Sequence, residues 1–176
     1  MLATLRSMAS STSSVLCSTF VRGPRETKPA DVLAIANAVL DAVDAAGGSA
    51  NLIRVQRLTA LAQLWSVALR DRPLFSTHMG VINGRPVIHE IHAAFRRFDF
   101  RPITARASIP EMPQFEWPSD EDPERLEIIR SVVSAYARFD DYRLGEMLAE
   151  LLEDAVVNGR VDQVLASQRL LEKVPA

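Results

Sequence analysis

Apolar side chains recur at intervals of three and four residues along most of the chain beyond residue 30, which is the spacing of one helix face. The longest such series lies between residues 52 and 69: Leu52, Val55, Leu58, Leu61, Ala62, Trp65, Ala68 and Leu69. Asn51 is placed to cap this helix, and Asp71-Arg72-Pro73 is placed to end it. The polar members of the segment are predicted to lie mostly off the apolar face: Arg54, Arg57, Gln63 and Arg70.

Five further segments carry the same helical spacing. The first begins at Pro29-Ala30-Asp31 and stops before Gly47-Gly48, and the others cover about residues 87–98, 119–136, 144–155 and 161–171. No clean run of alternating strand residues occurs; Asn83-Gly84 is predicted as a turn and Asn158-Gly159 as a helix break. The pattern therefore predicts an all-α protein, a compact bundle of about six helices that forms a single domain over residues 30–176.

Two segments lack this pattern. Residues 1–29 are rich in serine and arginine and are predicted to form a flexible tail; translation from Met8 and an organellar transit peptide are both open interpretations of it. Residues 100–118 contain four prolines and are predicted to be a long loop of the kind that is often functional. No stretch approaches the roughly 20 apolar residues that a membrane-spanning helix needs.

Composition indicates a cellular compartment and shows that charge is distributed unevenly along the chain. Cys17 is the only cysteine among the 176 residues, so no intrachain disulfide can form, which fits the cytoplasm. Residues 1–110 hold 13 Lys/Arg and 7 Asp/Glu, a net charge of +6, whereas residues 111–176 hold 7 and 15, a net charge of −8. Such halves can attract each other within one molecule, or each can face a different partner.

Motifs for catalysis are absent from the sequence. It has no glycine-rich nucleotide loop and no serine nucleophile elbow. His89, Glu90 and His92 could share a helix face and hold a metal ion, but no further ligand is spaced to complete a zinc site. We therefore predict a protein that is not an enzyme and that holds no metal and no cofactor.

A cluster of arginines and phenylalanines is the strongest candidate for a binding surface: Phe95, Arg96, Arg97, Phe98, Phe100, Arg101 and Arg106. It could contact nucleic acid through phosphates and stacked bases, or dock an acidic protein surface through arginine and aromatic anchors. Alternatively, the phenylalanines are core residues and the arginines are merely exposed. The acidic face of the fifth predicted helix is a second candidate surface: Glu146, Glu150, Glu153 and Asp154.

An ordered set of residues resembles a known family. Its members in this chain are Asn37 after an alanine, Gln56, Arg57, Leu58, Trp65, Pro73, Leu74, Phe75, Pro86 and Val87, followed by Glu90-Ile91-His92. This order is similar to that of the Panacea-domain family, the SocA-like and phage-associated proteins of bacteria and phages, over about residues 30–103. Ile82 and Arg85 replace the family's usual tryptophan and glycine, and the C-terminal Leu-Thr-His pattern is not visible, so the chain resembles a divergent member.

The resemblance implies a function as well as a helical fold. Proteins of this family are antitoxins that bind and neutralise a cognate toxin protein, and some act as adaptors that deliver the toxin to an ATP-dependent protease of the ClpXP type. It also implies that the motif residues are structural. On this basis we expect the partner to bind at Arg96, Arg97, Phe98, Phe100 and Arg101 and at Glu146 and Glu150. The alternative is a nucleic-acid-binding regulator that uses the Arg96–Arg106 cluster.

Overall fold

The computed structural model describes residues 30–108 and 123–173. Within them the chain is mostly helical: α1 (Val32–Ala45), α2 (Leu52–Arg70), α3 (His89–Phe95), α4 (Pro123–Tyr136), α5 (Asp141–Leu152) and α6 (Gln163–Lys173), with a 3-10 turn (Arg96–Phe98) after α3. Four short strands accompany the helices: β1 (Gly80–Ile82), β2 (Arg85–Val87), β3 (Val156–Val157) and β4 (Arg160–Val161). The predicted tail at residues 1–29 lies outside the described residues, as do residues 109–118 of the predicted loop and residues 119–122, where the fourth helix was predicted to begin.

Helix α2 is the centre of the fold. The predicted helix is confirmed, and Asn51 caps it, because the Asn51 side chain accepts a hydrogen bond of 2.8 Å from the backbone N–H of Arg54. Within the described residues α2 contacts all five other helices, most extensively α6 and α4. Every residue from Val55 to Ser66 is buried. The expectation of a one-sided apolar face is therefore wrong, because neighbours cover α2 on all sides.

Two of the four polar residues that were expected off the apolar face of α2 are instead used inside the fold, whereas Arg54 and Arg70 are only partly buried. Arg57 and Gln63 are buried. The side-chain carbonyl of Gln63 accepts hydrogen bonds from the backbone N–H groups of Leu74 and Phe75, at 2.8 and 3.2 Å. Its amide donates to the backbone carbonyl of Phe75 at 2.9 Å. One glutamine thus satisfies three backbone groups of a buried segment that follows α2.

The strands correct the prediction that the protein contains helices alone. They form one antiparallel sheet in the order β2-β1-β4-β3. Its two hairpins close through Asn83-Gly84 and Asn158-Gly159, and in both pairs φ is positive, 52° at asparagine and 73° at glycine. Two positive φ angles define the tight type I′ hairpin, which asparagine and glycine adopt most readily. Strands of two or three residues are too short to show an alternating pattern in the sequence.

The sheet also shifts the bounds of the predicted helices. The helix predicted from residue 87 begins at His89 instead, because residues 85–87 pair with β1 and Pro86 occupies an edge strand. The helix predicted to reach residue 155 ends at Leu152, and the one predicted from residue 161 begins at Gln163. Between these two helices the chain forms the paired strands β3 and β4.

Candidate functional site

The 3-10 turn after α3 positions the predicted arginine and phenylalanine surface. Phe95 is fully buried and fixes the end of α3 in the core, whereas Phe98 is half-buried. The backbone N–H of Arg101 donates to the carbonyl of Phe98 at 2.9 Å, which holds the chain in a tight bend. Beyond this bend Phe100 is 70% exposed. The bend therefore presents one aromatic ring to solvent while its neighbours anchor the segment.

Three arginines in the turn and the bend have no acidic partner among the described residues. Arg96, Arg97 and Arg101 are exposed, and none of them forms an ion pair with a carboxylate in residues 30–108 or 123–173. The guanidinium of Arg97 lies over the ring of Phe98, 4.9 Å from its centroid. Arg101 donates a hydrogen bond of 3.2 Å to the carbonyl of Arg97. We call Arg96, Arg97, Phe98, Phe100 and Arg101 the arginine–phenylalanine surface.

Arg106 is separate from this surface. Its guanidinium forms ion pairs with Asp41 at 2.7 Å and Asp44 at 2.5 Å, both on α1. Burial alone would lower the pKa of Arg106, but the hydrogen bonds to Asp44 and Asp41 outweigh it and raise that pKa above its ordinary value. The arginine cluster that the sequence predicted as one unit therefore divides into the three cations of the arginine–phenylalanine surface and one neutralised cation.

A cavity of about 550 Å³ adjoins the arginine–phenylalanine surface, since Phe100 and Pro102 form part of its wall. The Gly47-Gly48 loop after α1 and residues of α2, α4 and α5 supply the rest. Arg54 lies in this wall, where its guanidinium donates to the carbonyl of Phe139 at 2.9 Å and pairs with Asp141 at 3.3 Å. The cavity could not be predicted from the sequence, because its wall comes from separate segments that share no local signal.

Three of the four acidic residues predicted on the face of α5 have basic partners, and two of the four, Glu153 and Asp154, lie in the turn after α5 because the helix ends at Leu152. Glu146 pairs with Arg143 at 3.2 Å, and Glu150 pairs with Lys173 of α6 at 3.0 Å. The hydrogen bond from Lys173, together with the charges of Lys173 and Arg143, lowers the pKa of Glu150 below its ordinary value. The two predicted contact residues on this face are thus partly neutralised within the protein, unlike the arginines after α3.

Removing Lys173 is expected to raise the pKa of Glu150. In Lys173→Gln the carboxylate loses its hydrogen-bond donor and nearest positive charge, so its pKa should move up toward the ordinary glutamate value. Because the folded-state pKa is depressed, the pair stabilises the fold above the unfolded-state pKa and ceases to do so as the pH falls through the folded-state value. Side-chain 13C NMR titration measures the change, with Arg160→Gln as the control that should leave the pKa of Glu150 unaltered. An unaltered pKa in Lys173→Gln would contradict the pairing.

Most of the motif residues lie in the interior. Asn37, Gln56, Arg57, Leu58, Trp65, Leu74, Phe75 and Pro86 are buried, Val87 is half-buried and Pro73 is exposed. Several of them make specific polar contacts. The amide of Asn37 pairs with both backbone groups of Ala107, at 2.9 and 3.0 Å, and the carbonyl of Gln56 accepts from the N–H of Ile88 at 3.0 Å. These positions hold loops and strands against the helices.

The histidines are exposed on the outside of the fold. His89, Glu90 and His92 all lie on the solvent side of α3. Across the described ranges no three or more His, Cys, Asp or Glu side chains are grouped so that they could hold a metal ion. None of the helices in residues 30–108 and 123–173 is long and apolar enough to cross a bilayer.

Comparison of the chain with models of protein families, with curated proteins and with solved structures finds no match. A function must therefore be inferred from the geometry of the described residues and from the resemblance in the sequence.

Proposed function

We propose that this chain is a cytoplasmic antitoxin that binds a cognate toxin protein through the arginine–phenylalanine surface. The observation that carries the proposal is Phe100, which is 70% exposed in the same short segment as three exposed arginines that lack an acidic partner within the described residues. Aromatic residues and arginines dominate the binding energy of protein interfaces, particularly beside a pocket that a partner side chain can fill. The adjoining cavity of about 550 Å³ offers such a pocket.

Charge narrows the kind of partner. Arg96 and Arg97 lie in the 3-10 turn, and Arg101 hydrogen-bonds to the carbonyl of Arg97, so an acidic patch would be attracted to this segment and would neutralise its cations on binding. The toxin's contact surface should therefore carry aspartate or glutamate around an apolar side chain. Delivery of the bound toxin to an ATP-dependent protease of the ClpXP type is part of the proposal and rests on the family resemblance alone.

The motif residues support the same proposal indirectly. The burial of most of them is what the resemblance leads one to expect of structural residues, and it leaves partner binding to other surfaces. Glu146 and Glu150 are weaker candidates for contact, because a partner would first have to displace Arg143 and Lys173.

Co-expression with the product of the neighbouring gene tests the function. That product should arrest growth alone and should be neutralised when this chain is present. Phe100→Ala should weaken binding about 30-fold, the equivalent of 2 kcal/mol for a central aromatic anchor, and should abolish protection. The matched control is Tyr142→Ala, because Tyr142 is a 67% exposed aromatic residue on α5 that should be dispensable.

Three outcomes would overturn the proposal. The neighbouring product could be harmless alone, it could stay toxic beside this chain, or Phe100→Ala could protect as well as the unaltered protein. Calorimetry on the purified pair gives the dissociation constants, so a loss of affinity is separated from a loss of expression.

Binding of nucleic acid is the second candidate, and the same three arginines favour it. Phosphate contacts by Arg96, Arg97 and Arg101 would make binding fall steeply with salt. A gel-shift assay with operator DNA decides between the two. Salt-sensitive binding that Arg96→Ala and Arg97→Ala weaken, without any toxin binding, would replace the antitoxin proposal by a regulator of transcription.

A further inference from the structure

Two arginines from distant segments of the chain, Arg57 and Arg85, meet at one helix position. Arg57 of α2 is only 9% exposed, and Arg85 lies on the edge strand β2. Both guanidiniums lie against Gly145 of α5. A Cβ atom added to Gly145 would lie 2.9 Å from Nη2 of Arg57 and 3.2 Å from Nε of Arg85. Two like charges are therefore held side by side where the absence of a side chain on α5 leaves room.

The neighbouring carboxylate does not neutralise this pair. Arg57 donates from Nη1 to the backbone carbonyl of Asp141, while the carboxylate of Asp141 accepts from Asn51 at 2.9 Å and pairs with Arg54 at 3.3 Å. Arg85 has no carboxylate partner in the ranges 30–108 and 123–173. Burial lowers the pKa of Arg57; the charge of Asp141 opposes this, and the charge of Arg85 adds to it. The site thus has an excess of positive charge.

The pair opens into a cleft of about 320 Å³ between α2 and the β1–β2 hairpin. Apolar side chains form much of its wall: Ile53, Ile82, Pro86 and Val87. Ile82 is 61% exposed at the end of β1, which leaves an apolar rim open to solvent. A volume of this size is at the lower end of those that hold small ligands. The cleft therefore joins two cations to an apolar surface.

We propose that this cleft binds a carboxylate carried on an aliphatic group. The carboxylate would lie between the guanidiniums of Arg57 and Arg85, and the aliphatic group would contact the apolar wall. Guanidinium groups match the planar carboxylate through paired hydrogen bonds, and an anion removes the repulsion between the two cations. Both the chain-terminal carboxylate of a peptide and an acidic side chain beside an aliphatic residue have this chemistry.

The probe is N-acetyl-L-leucine, observed through the Nε–H NMR signals of Arg57 and Arg85. We expect a dissociation constant on the order of 1 mM. N-acetyl-L-leucinamide, which lacks the charge, and inorganic phosphate, which lacks the aliphatic group, should each bind at least about 10-fold more weakly. An N-acetylated Leu-Glu-Leu amide carries its carboxylate on a side chain. Comparing its affinity with that of N-acetyl-L-leucine distinguishes an acidic side chain from a chain-terminal carboxylate as the ligand.

Arg85→Gln tests the assignment to these residues. Arg85 is exposed, so the variant should fold, and it should weaken binding about 10-fold, as expected for a lost charged hydrogen bond. Arg160→Gln in the same sheet is the matched control and should bind as the unaltered protein does. Binding of either acid in preference to the amide and to phosphate supports the site. Equal binding of the amide, equal or tighter binding of phosphate, absence of binding by both acids, or unchanged binding in Arg85→Gln overturns it. None of these outcomes depends on the toxin or on Phe100, so the two proposals fail separately.

Discussion

Trp65→Ala should lower the free energy of unfolding by about 4 kcal/mol, the middle of the range for removing a large buried aromatic side chain. Trp65 is fully buried on α2, the helix that contacts all the others described. Its indole N–H donates to the hydroxyl of Tyr136 on α4 at 3.1 Å. Alanine would leave a cavity between these helices and would deprive a buried hydroxyl of its donor. Burial, which the hydrogen bond from Trp65 only partly opposes, raises the pKa of Tyr136, so the hydroxyl stays neutral in the core.

Urea unfolding followed by far-UV circular dichroism measures this effect. Phe100→Ala is the control, because its ring is exposed and its removal should change the unfolding free energy by no more than about 0.5 kcal/mol. Trp65→Phe retains most of the apolar volume, so its loss of unfolding free energy should lie between those of Trp65→Ala and Phe100→Ala. A loss below about 1 kcal/mol in Trp65→Ala would show that α2 is not the buried centre of the fold.

Gln63→Met should cost about 3 kcal/mol although methionine has nearly the same shape. The change strips hydrogen bonds from three backbone groups of Leu74 and Phe75 that Gln63 now satisfies. Each buried polar group left without a partner costs about 1–3 kcal/mol, and the gain from burying a thioether offsets only part of this. The hydrogen bond of 2.8 Å that the Gln63 amide donates to the side chain of Gln163 is lost as well; this bond joins α2 to the start of α6.

The comparison is with Gln168→Met, at an exposed position of α6, where the same change should be nearly neutral. Amide hydrogen exchange adds a local readout, since the N–H groups of Leu74 and Phe75 should exchange faster in Gln63→Met alone. Equal stability of the two variants would mean that water replaces the hydrogen bonds of the glutamine without cost.

Helical periodicity is enough to predict where most of the helices lie. The apolar series around Trp65 and the capping residue Asn51 both correspond to observed features of α2. The series cannot reveal that α2 is covered on all sides, because Arg57 and Gln63 appear in a sequence as ordinary surface residues. Arg57 and Gln63 can be buried because they hydrogen-bond to the carbonyl of Asp141 and the side chain of Gln163. Those partners are distant in the sequence and come near only in the folded protein.

The sheet escapes prediction for a different reason. Asn83-Gly84 and Asn158-Gly159 lie between segments of helical spacing and so indicate breaks between helices, although the same dipeptide favours the turn of a hairpin. Two or three paired residues on either side are too few to alter the hydrophobic period. The two hairpins join into one sheet through the pairing of β1 with β4. These strands are so far apart in the sequence that no local pattern can reveal their pairing.

The candidate surfaces are predictable in part. The interleaving of arginines and phenylalanines in the sequence indicates Arg96, Arg97 and Phe100, and the structure places them in the 3-10 turn and the bend that follows it. Proximity in sequence groups Arg106 with them, but its partners Asp41 and Asp44 lie on α1, more than 60 residues earlier. The contact of Arg57 and Arg85 with Gly145 has no sequence signal, because the three residues come from α2, β2 and α5 and meet only in the folded protein.

Strand β1 pairs with β4 about 80 residues further along the chain, Gly80 facing Arg160. A ribosome adding about 5–20 residues per second needs roughly 4–16 s to make the intervening segment. During that interval the first hairpin exposes an unpaired strand edge, and α2 lacks α6, the helix that covers it most extensively. The sheet and the packing around α2 therefore cannot be completed until the C-terminal segment, including α6, has been made.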